Sequence, residues 1–501
     1  MRAPAGAAQP TLTTQAVSPP ALVAVVVDGS SRYGAPQIFD AYREQLGQPV
    51  SHAAAQRIVE ALLALYQRDG WVRPQVELDD ALTGRGIIRA QVHEARITRV
   101  LIEGNAGQHR GQLEAIGSRL VAARPLRRDH VSQALADMRR IGGLTIRATT
   151  RRDATLPNAI ELVVKSEYSP VEGLVRMNNR GTDEIGPAFV LGQVAVNGLL
   201  GGHEKIGLLF AAAAEHDEYL GGGMFFDTAF AGGTRANLLL FGSHSAPREA
   251  PVDFSHEYRR ERLALRLSHP LREGSGSSLL LVGALEGDDL AIERHGILLR
   301  EDRLRIVEAG LRGSRRAANS TQVSGSVALR QGLDALGAGL DAPYLAHDPR
   351  SLDFLTMQVS AGVYRRFATE WALRFDALGQ FSDDVLPDGE RFKIGGDRLG
   401  RGFEVAEIAG DRGVGGKLEL RRDLTSTDGP LGRLSAYGFY DFGAAWKRDR
   451  PGRESATTAG SGIAIQGATL TGYLELAAPL TGADVEGKRD PSVFAELSYR
   501  F

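Results

Sequence analysis

The sequence contains no cysteine. Disulfides, thiolate metal sites and cysteine nucleophiles are therefore excluded together. No apolar run approaches 18 residues, so no stretch can cross a bilayer as a helix. A membrane-embedded form could only be a closed β-barrel. An excess of one charge is also missing: 59 Lys+Arg face 61 Asp+Glu, a formal net charge of -2. Binding to nucleic acid through phosphate neutralisation is disfavoured on that ground. Global disorder lacks its signature too, with 43% hydrophobic and 24% charged residues. Glycine is what the chain has in excess, 60 in 501 residues, without a collagen period.

The motifs of common enzyme classes are not found. Gly416-Lys417 lacks the upstream Gly and the following Ser/Thr of a phosphate loop. Gly395-Gly396…Gly400 has no helix behind it and is no dinucleotide fingerprint. The 11 histidines form no His-Glu-x-x-His pair, and no metal cluster is visible. Gly460-Ser461-Gly462 has the wrong spacing for a nucleophile elbow. No catalytic, cofactor-binding or metal-ligating residue is assigned.

Met1–Pro20 reads as a disordered lead rich in Ala, Pro, Thr and Gln. Ala5-Gly6-Ala7 has the look of a signal-peptidase site, but no h-region precedes it. Either the numbering starts inside a signal peptide or the likeness is accidental. Ala21–Val27 reads as a buried strand. Ser51 can cap a helix carrying Ala55, Ile58, Val59, Leu62, Leu63 and Tyr66 on one face, and Gly70 can end it. Strands Gln75–Leu78 and Ile87–Val92 follow. The order then recurs: strand Ile97–Ile102, helices over Gln112–Leu120 and Val131–Ile141, strands Leu144–Thr150 and Ile160–Lys165. Two α+β repeats are expected, over 21–95 and 96–168. The pattern alone favours two generic domains; the functional alternative is a sheet edge that accepts an extended polypeptide.

From 169 to 501 the helical period disappears and period 2 takes over. Val493, Ala495, Leu497, Tyr499 and Phe501 point one way; Phe494, Glu496, Ser498 and Arg500 point the other. In Arg433–Trp446, Leu434, Tyr440 and Phe442 share a face, and Ser435, Asp441 and Gly443 the opposite one. Leu470, Leu474, Leu476 and Leu480 oppose Thr471, Tyr473 and Glu475. The strands are about ten residues long, as spanning demands. Mid-strand charges suit a wet lumen better than a packed core. Tight turns alternate with longer polar segments such as Ser245–Asp253 and Leu340–Arg350. The fold expected is a transmembrane barrel of about 16 antiparallel strands, an even number, closed by its last strand against its first.

Phe392–Phe403 is a glycine-dense segment between two of these strands. Arg401 lies between Gly400 and Gly402, and Asp441 is its natural carboxylate partner. An ordinary solvated arginine fits the pattern as well. An exposed pair is worth about 0–1 kcal/mol, whereas breaking a buried one costs roughly 3–5 kcal/mol. A wet lumen lies between, which predicts a pair that positions the loop.

These residues resemble the two-partner secretion transporters, the ShlB/FhaC/HecB haemolysin secretion/activation family, within the superfamily that includes BamA. Tyr66-x-x-x-Gly70-Trp71 is similar to the helix-to-strand junction of periplasmic POTRA repeats. Gly395, Gly396, Arg401, Gly402 and Phe403 resemble the family's loop that folds into the barrel. Phe439–Gly443, with Asp441 and Gly443, resembles the strand that anchors it. Tyr499 and Phe501 resemble the terminal signal read by the barrel assembly machinery, and Met177–Gly181 the first barrel hairpin. Gly400 stands where the family usually has Val, which predicts a looser loop tip. The short lead predicts that the plug helix of some relatives is missing. The resemblance implies two POTRA domains in the periplasm, a barrel in outer-membrane lipid with a loop in its lumen, and secretion of an unfolded exoprotein. It implies no cofactor, no enzyme activity and no nucleic-acid partner. A BamA-like insertase and a passive porin are the alternatives.

Overall fold

Leucine and isoleucine at helical spacing and a serine at its start make the longest helix. In the computed structural model, Ser51 Oγ accepts from the Ala54 N–H at 3.1 Å and caps α2 (His52–Arg68), and Gly70 takes φ +81 beyond its end. The structure describes residues 19–79, 85–182, 185–214, 218–247, 256–274, 276–317, 320–425, 432–481 and 490–501. Most of the lead, and residues 248–253 of the segment Ser245–Asp253, lie outside them.

The chain forms two compact units, one comprising Met1–Met138 with Ile146–Glu167, the other Arg139–Thr145 with Tyr168–Phe501. In the first unit, β1 (Ala24–Asp28), α1 (Ala35–Tyr42), α2, β2 (Gln75–Asp79) and β3 (Ile87–His93) form one repeat. Its sheet order is β1-β3-β2, with β1 parallel to β3. Ile38, Tyr42, Ile58 and Leu62 pack on Val25, Ile88 and Ala90 to make its core. Helix α1 has no counterpart in the residue-by-residue reading, because its eight residues are too short to display a period. The second repeat has β4 (Arg96–Gly104), α3 (Arg110–Ala122), α4 (Arg128–Arg139), β5 (Leu144–Arg152) and β6 (Ala159–Tyr168), in sheet order β4-β6-β5. Segments 70–72 and 126–128 hydrogen-bond to each other, and Trp71 sits between the Arg32 and Arg127 guanidinium groups.

The second unit is a closed barrel. In chain order it holds β7 (Val171–Asn178), β8 (Phe189–Asn197), β9 (Lys205–Ala213), β10 (Tyr219–Ala229), β11 (Arg235–Ser245), β12 (Glu257–Gly274), β13 (Ser277–Arg294), β14 (Ile297–Arg316) and β15 (Thr321–Gly332). A three-residue β16 (Gly339–Asp341) pairs with the end of β14. Then come β17 (Leu355–Arg366), β18 (Trp371–Ser382), β21 (Arg412–Asp423), β22 (Arg433–Trp446), β23 (Glu454–Gln466), β24 (Leu470–Thr481) and β25 (Ser492–Arg500). The short β19 (Phe392–Ile394) and β20 (Ile408–Gly410) pair with each other outside the wall. Without β16, sixteen antiparallel strands close the wall, β25 pairing with β7 from Arg500–Leu174 to Glu496–Asn178. Phe501 continues that pairing with Gly173, whose missing side chain makes room for the Phe501 ring.

The wall is apolar on its outside. Leu474, Leu476, Val493, Leu497, Tyr440 and Phe442 are exposed, whereas Asp441, Glu475 and Ser498 are buried. Water-facing side chains on a closed inner surface and hydrocarbon-facing ones outside are what a lipid environment selects.

Candidate functional site

Residues 383–411 connect β18 to β21 and carry the glycine-rich motif. The β19–β20 ladder brings the ends of this loop together, and its tip folds back on itself. Gly395 N–H donates to Leu399 O at 2.8 Å, Gly396 N–H to Phe403 O at 3.1 Å and Phe403 N–H to Gly400 O at 2.9 Å. Gly395 and Gly400 have φ +121 and +81. A Cβ on Gly395 would lie 1.8 Å from Glu404 O, so only glycine fits.

Apolar residues hold the loop to the wall. Phe392, Ile394, Leu399, Phe403 and Ile408 cluster with Ala445 of β22 and Ala456 of β23. Glycines on the strands make the space: a Cβ on Gly413 would meet the Phe392 ring at 2.0 Å, and one on Gly415 the Leu399 side chain at 2.4 Å. Gly443 does the same beneath Ile394, at 2.9 Å. The period-2 pattern makes all of these inward-facing positions.

Arg401 is 5% exposed and Asp441 is 0% exposed. Arg401 Nε and Nη2 donate to the two Asp441 oxygens at 3.0 and 2.9 Å, a bidentate fork. The Arg401 backbone N–H adds a third bond to Asp441 at 3.2 Å. Nη1 donates to Glu419 of β21 at 3.3 Å and to Glu475 of β24 at 3.2 Å. The guanidinium carbon lies 3.5 Å from the centroid of the Phe439 ring. One cation thus engages three carboxylates from three strands. Burial puts this pair at the costly end of the range, not at the intermediate value expected for a wet lumen. The tip is also not loosened by Gly400. That residue adopts the left-handed conformation that a valine resists, 2.9 Å from Ile394 by its ideal Cβ, and so tightens the turn.

Glu475 carries the network further. It accepts from Tyr437 Oη at 3.0 Å and from Arg180 Nη2 at 2.7 Å. Arg180, just beyond β7, also donates to Tyr473 Oη at 2.7 Å and lies over the Phe494 ring of β25. Beside it, the Asn179 side chain bonds the Val493 carbonyl and the Ala495 N–H. The loop tip is therefore linked through one glutamate to the strands that close the barrel.

The stem of the loop is clamped separately. Glu390 accepts from Arg330 of β15 at 3.0 Å, and Arg330 also meets Glu286 of β13 and Glu308 of β14. Asp411 takes N–H bonds from Leu386 and Arg448. Between the loop and the inner face of β12–β18 lies a cavity of about 900 Å³. Its lining mixes serines such as Ser278, Ser314, Ser326 and Ser360 with charged groups and apolar ones such as Leu280 and Val327.

The structure brings together the expected loop residues Gly395, Gly396, Arg401, Gly402 and Phe403 with Asp441 and Gly443. Gly402 packs on Thr458 and accordingly has no room for a side chain. Tyr499 and Phe501 lie elsewhere, stacked at 6.1 Å on the outer face. Sequence reading overlooked Glu419, Tyr437 and Arg330, and gave Glu475 and Arg180 no part in this network. Their signal was present: each acid or tyrosine lies on the polar side of an alternating strand.

The model of the haemolysin secretion/activation proteins ShlB/FhaC/HecB matches residues 159–467. The chain belongs to that family. A curated relative, the outer membrane transporter CdiB-2 of Burkholderia pseudomallei, is 27% identical over 173 residues, which is 33% of this chain. The matched part spans 28% of that relative's length. Among solved structures, CdiB from Escherichia coli superimposes with a TM-score of 0.78 at 18% identity, covering 99% of this chain and 93% of that one. CdiB from Acinetobacter baumannii does so with a TM-score of 0.67 at 13% identity, covering 96% and 90%. At these identities the two structures speak for the fold. Family, barrel and apolar outer belt together make this an outer-membrane protein.

Proposed function

We propose that the chain is the transporter of a two-partner secretion pair, moving one unfolded exoprotein across the outer membrane. On this reading residues 21–95 and 96–168 are periplasmic POTRA domains, and 169–501 the conducting barrel. The open edges of β1, β2, β4 and β5 offer unpaired backbone to an extended cargo. Such a cargo matches a lumen side lined by serines and glycines among charged groups of both signs, which can keep an extended chain hydrated. The loop fills the opposite side, and Arg401 with Asp441 sets its position. No step requires a cofactor or bond chemistry. The strands are completed by the barrel assembly machinery, with Tyr499 and Phe501 in the terminal signal.

The observation that carries this reading is the buried Arg401 fork on inward carboxylates in a barrel of this family. The test is depletion of the protein in its own cell. Loss of one large secreted protein with other barrels unchanged is expected. A broad loss of outer-membrane proteins overturns the assignment in favour of an insertase.

A further inference from the structure

The outer face of the barrel has a feature that secretion does not use. Leu208, Met224, Leu240 and Leu263 of β9–β12 face one another in register on the lipid side. Two residues along, the same sheet carries Gly222 opposite Gly242. An ideal Cβ on either would meet nothing closer than 3.7 Å, so the glycines leave a dent and not a packed contact. Gly287, opposite Leu263, extends the dent on to β13.

A lip roofs it. Leaving β15, the Leu333 N–H bonds the Arg305 carbonyl at 2.8 Å. Arg305 Nε then donates to Leu336 O and Arg303 Nε to Gly337 O, both at 3.2 Å. Leu336 and Gly337 take φ +55 and +74. A leucine in that conformation is strained, and here it is turned outward and 82% exposed. The cleft between lip and wall holds about 1010 Å³, and Leu240, Leu263, Leu285, Leu333 and Leu336 line it. At its upper rim Arg305 pairs with Asp289, and Arg303 with Glu301. Arg303 spends two of its five N–H donors on Gly337 and Glu301, which leaves three for a further acceptor.

We propose that this cleft is a binding site for the acyl chain of an anionic, phosphorylated membrane lipid, with the phosphate at Arg303. The occupant follows from the place. The cleft opens on the belt that hydrocarbon covers, and a guanidinium with spare donors stands where that belt ends. In the orientation given by periplasmic POTRA domains the rim lies in the outer leaflet; chain binding itself does not depend on that orientation. The lip anchors a lipid beside β12–β14, whose 18 to 20 residues make them the tallest strands of the wall.

The test uses the full chain in vesicles containing phosphatidylglycerol or phosphatidylcholine with brominated chains, which quench tryptophan on contact. Leu336→Trp reports on the cleft, and Leu474→Trp, on the lipid face of β24, reports on bulk lipid. Signal from the parent chain is subtracted. Leu336→Trp should reach half-quenching at about a tenfold lower fraction of brominated phosphatidylglycerol than Leu474→Trp. Gly242→Leu, or Gly222→Leu independently, should fill the dent and merge the two curves. Coincident curves for the two reporters in the parent background overturn the site. An unchanged preference with both glycines filled overturns its location, and equal preference for phosphatidylcholine overturns the headgroup assignment.

Discussion

The two units solve opposite burial problems. In the repeats, Ile58, Leu62, Ile88 and Leu113 are inside, and among the described charges Glu161 is the buried exception. In the barrel, leucines such as Leu263, Leu474 and Leu497 are outside, whereas Arg401, Asp441, Glu475 and Glu286 are buried. Water surrounds the first unit, and exclusion of apolar surface drives its core. Hydrocarbon surrounds the second, so exposing leucine costs nothing and the interior can be held by ion pairs and hydrogen bonds. Its apolar clusters are small patches, one of them under the loop. A buried charge pair therefore does in the barrel what an isoleucine does in the repeats.

Tests at five places would break or sharpen that contrast. The largest effect is expected at Asp441. Asp441→Ala removes the fork and leaves the buried Arg401 only Glu419 and Glu475, which costs loop docking about 3–5 kcal/mol. Secretion should fall far more than the amount of folded barrel, read by heat-modifiable mobility, and the loop should become protease-sensitive. Arg401→Lys should fail to rescue, since an ammonium cannot make the fork. Normal secretion by either variant at normal abundance would remove the loop from the mechanism. Next comes the first repeat: Leu62→Ala should destabilise it by about 2–5 kcal/mol, visible as early melting of helical dichroism with the β signal intact. Leu474→Arg, on the lipid face, should cost about 2–4 kcal/mol if that residue lies near the midplane, read as reduced insertion. A leucine-to-arginine change tolerated there would contradict the lipid belt.

Smaller effects concern local bonds. Ser51→Ala removes the cap of α2 and should cost about 1 kcal/mol, measurable as a modest shift of the helical transition. Asp153 is held down to about 2 by the Thr155 hydroxyl, then the Thr155 N–H and Thr98. A depressed carboxylate contributes stability that is complete above its unfolded value and is lost as pH falls towards the folded one. The repeats should weaken between about pH 4 and pH 2, and Asp153→Asn should flatten that dependence. An identical acid profile in the variant would show that the bonds add nothing.

Much of this architecture was legible because period and solvent are linked. Helix α2, the second repeat and the alternating strands follow from spacing alone, and Ser51 and Gly70 are end signals any helix of that pattern needs. Arg401 with Asp441 was legible as a pair because the glycines flank one and the polar face of a strand carries the other. The engagement of Glu419 and Glu475 was not. It depends on the register that aligns β21, β22, β23 and β24, and register is a property of paired strands.

By itself the sequence determined that the first third alternates helix and strand around apolar cores and that the rest alternates in-and-out along strands, because side-chain period is fixed by backbone geometry. Only the tertiary structure decided that three carboxylates converge on one arginine and that Leu336 is turned out over the wall. Each of these brings together residues far apart in the chain, and only the closure of the barrel makes them neighbours.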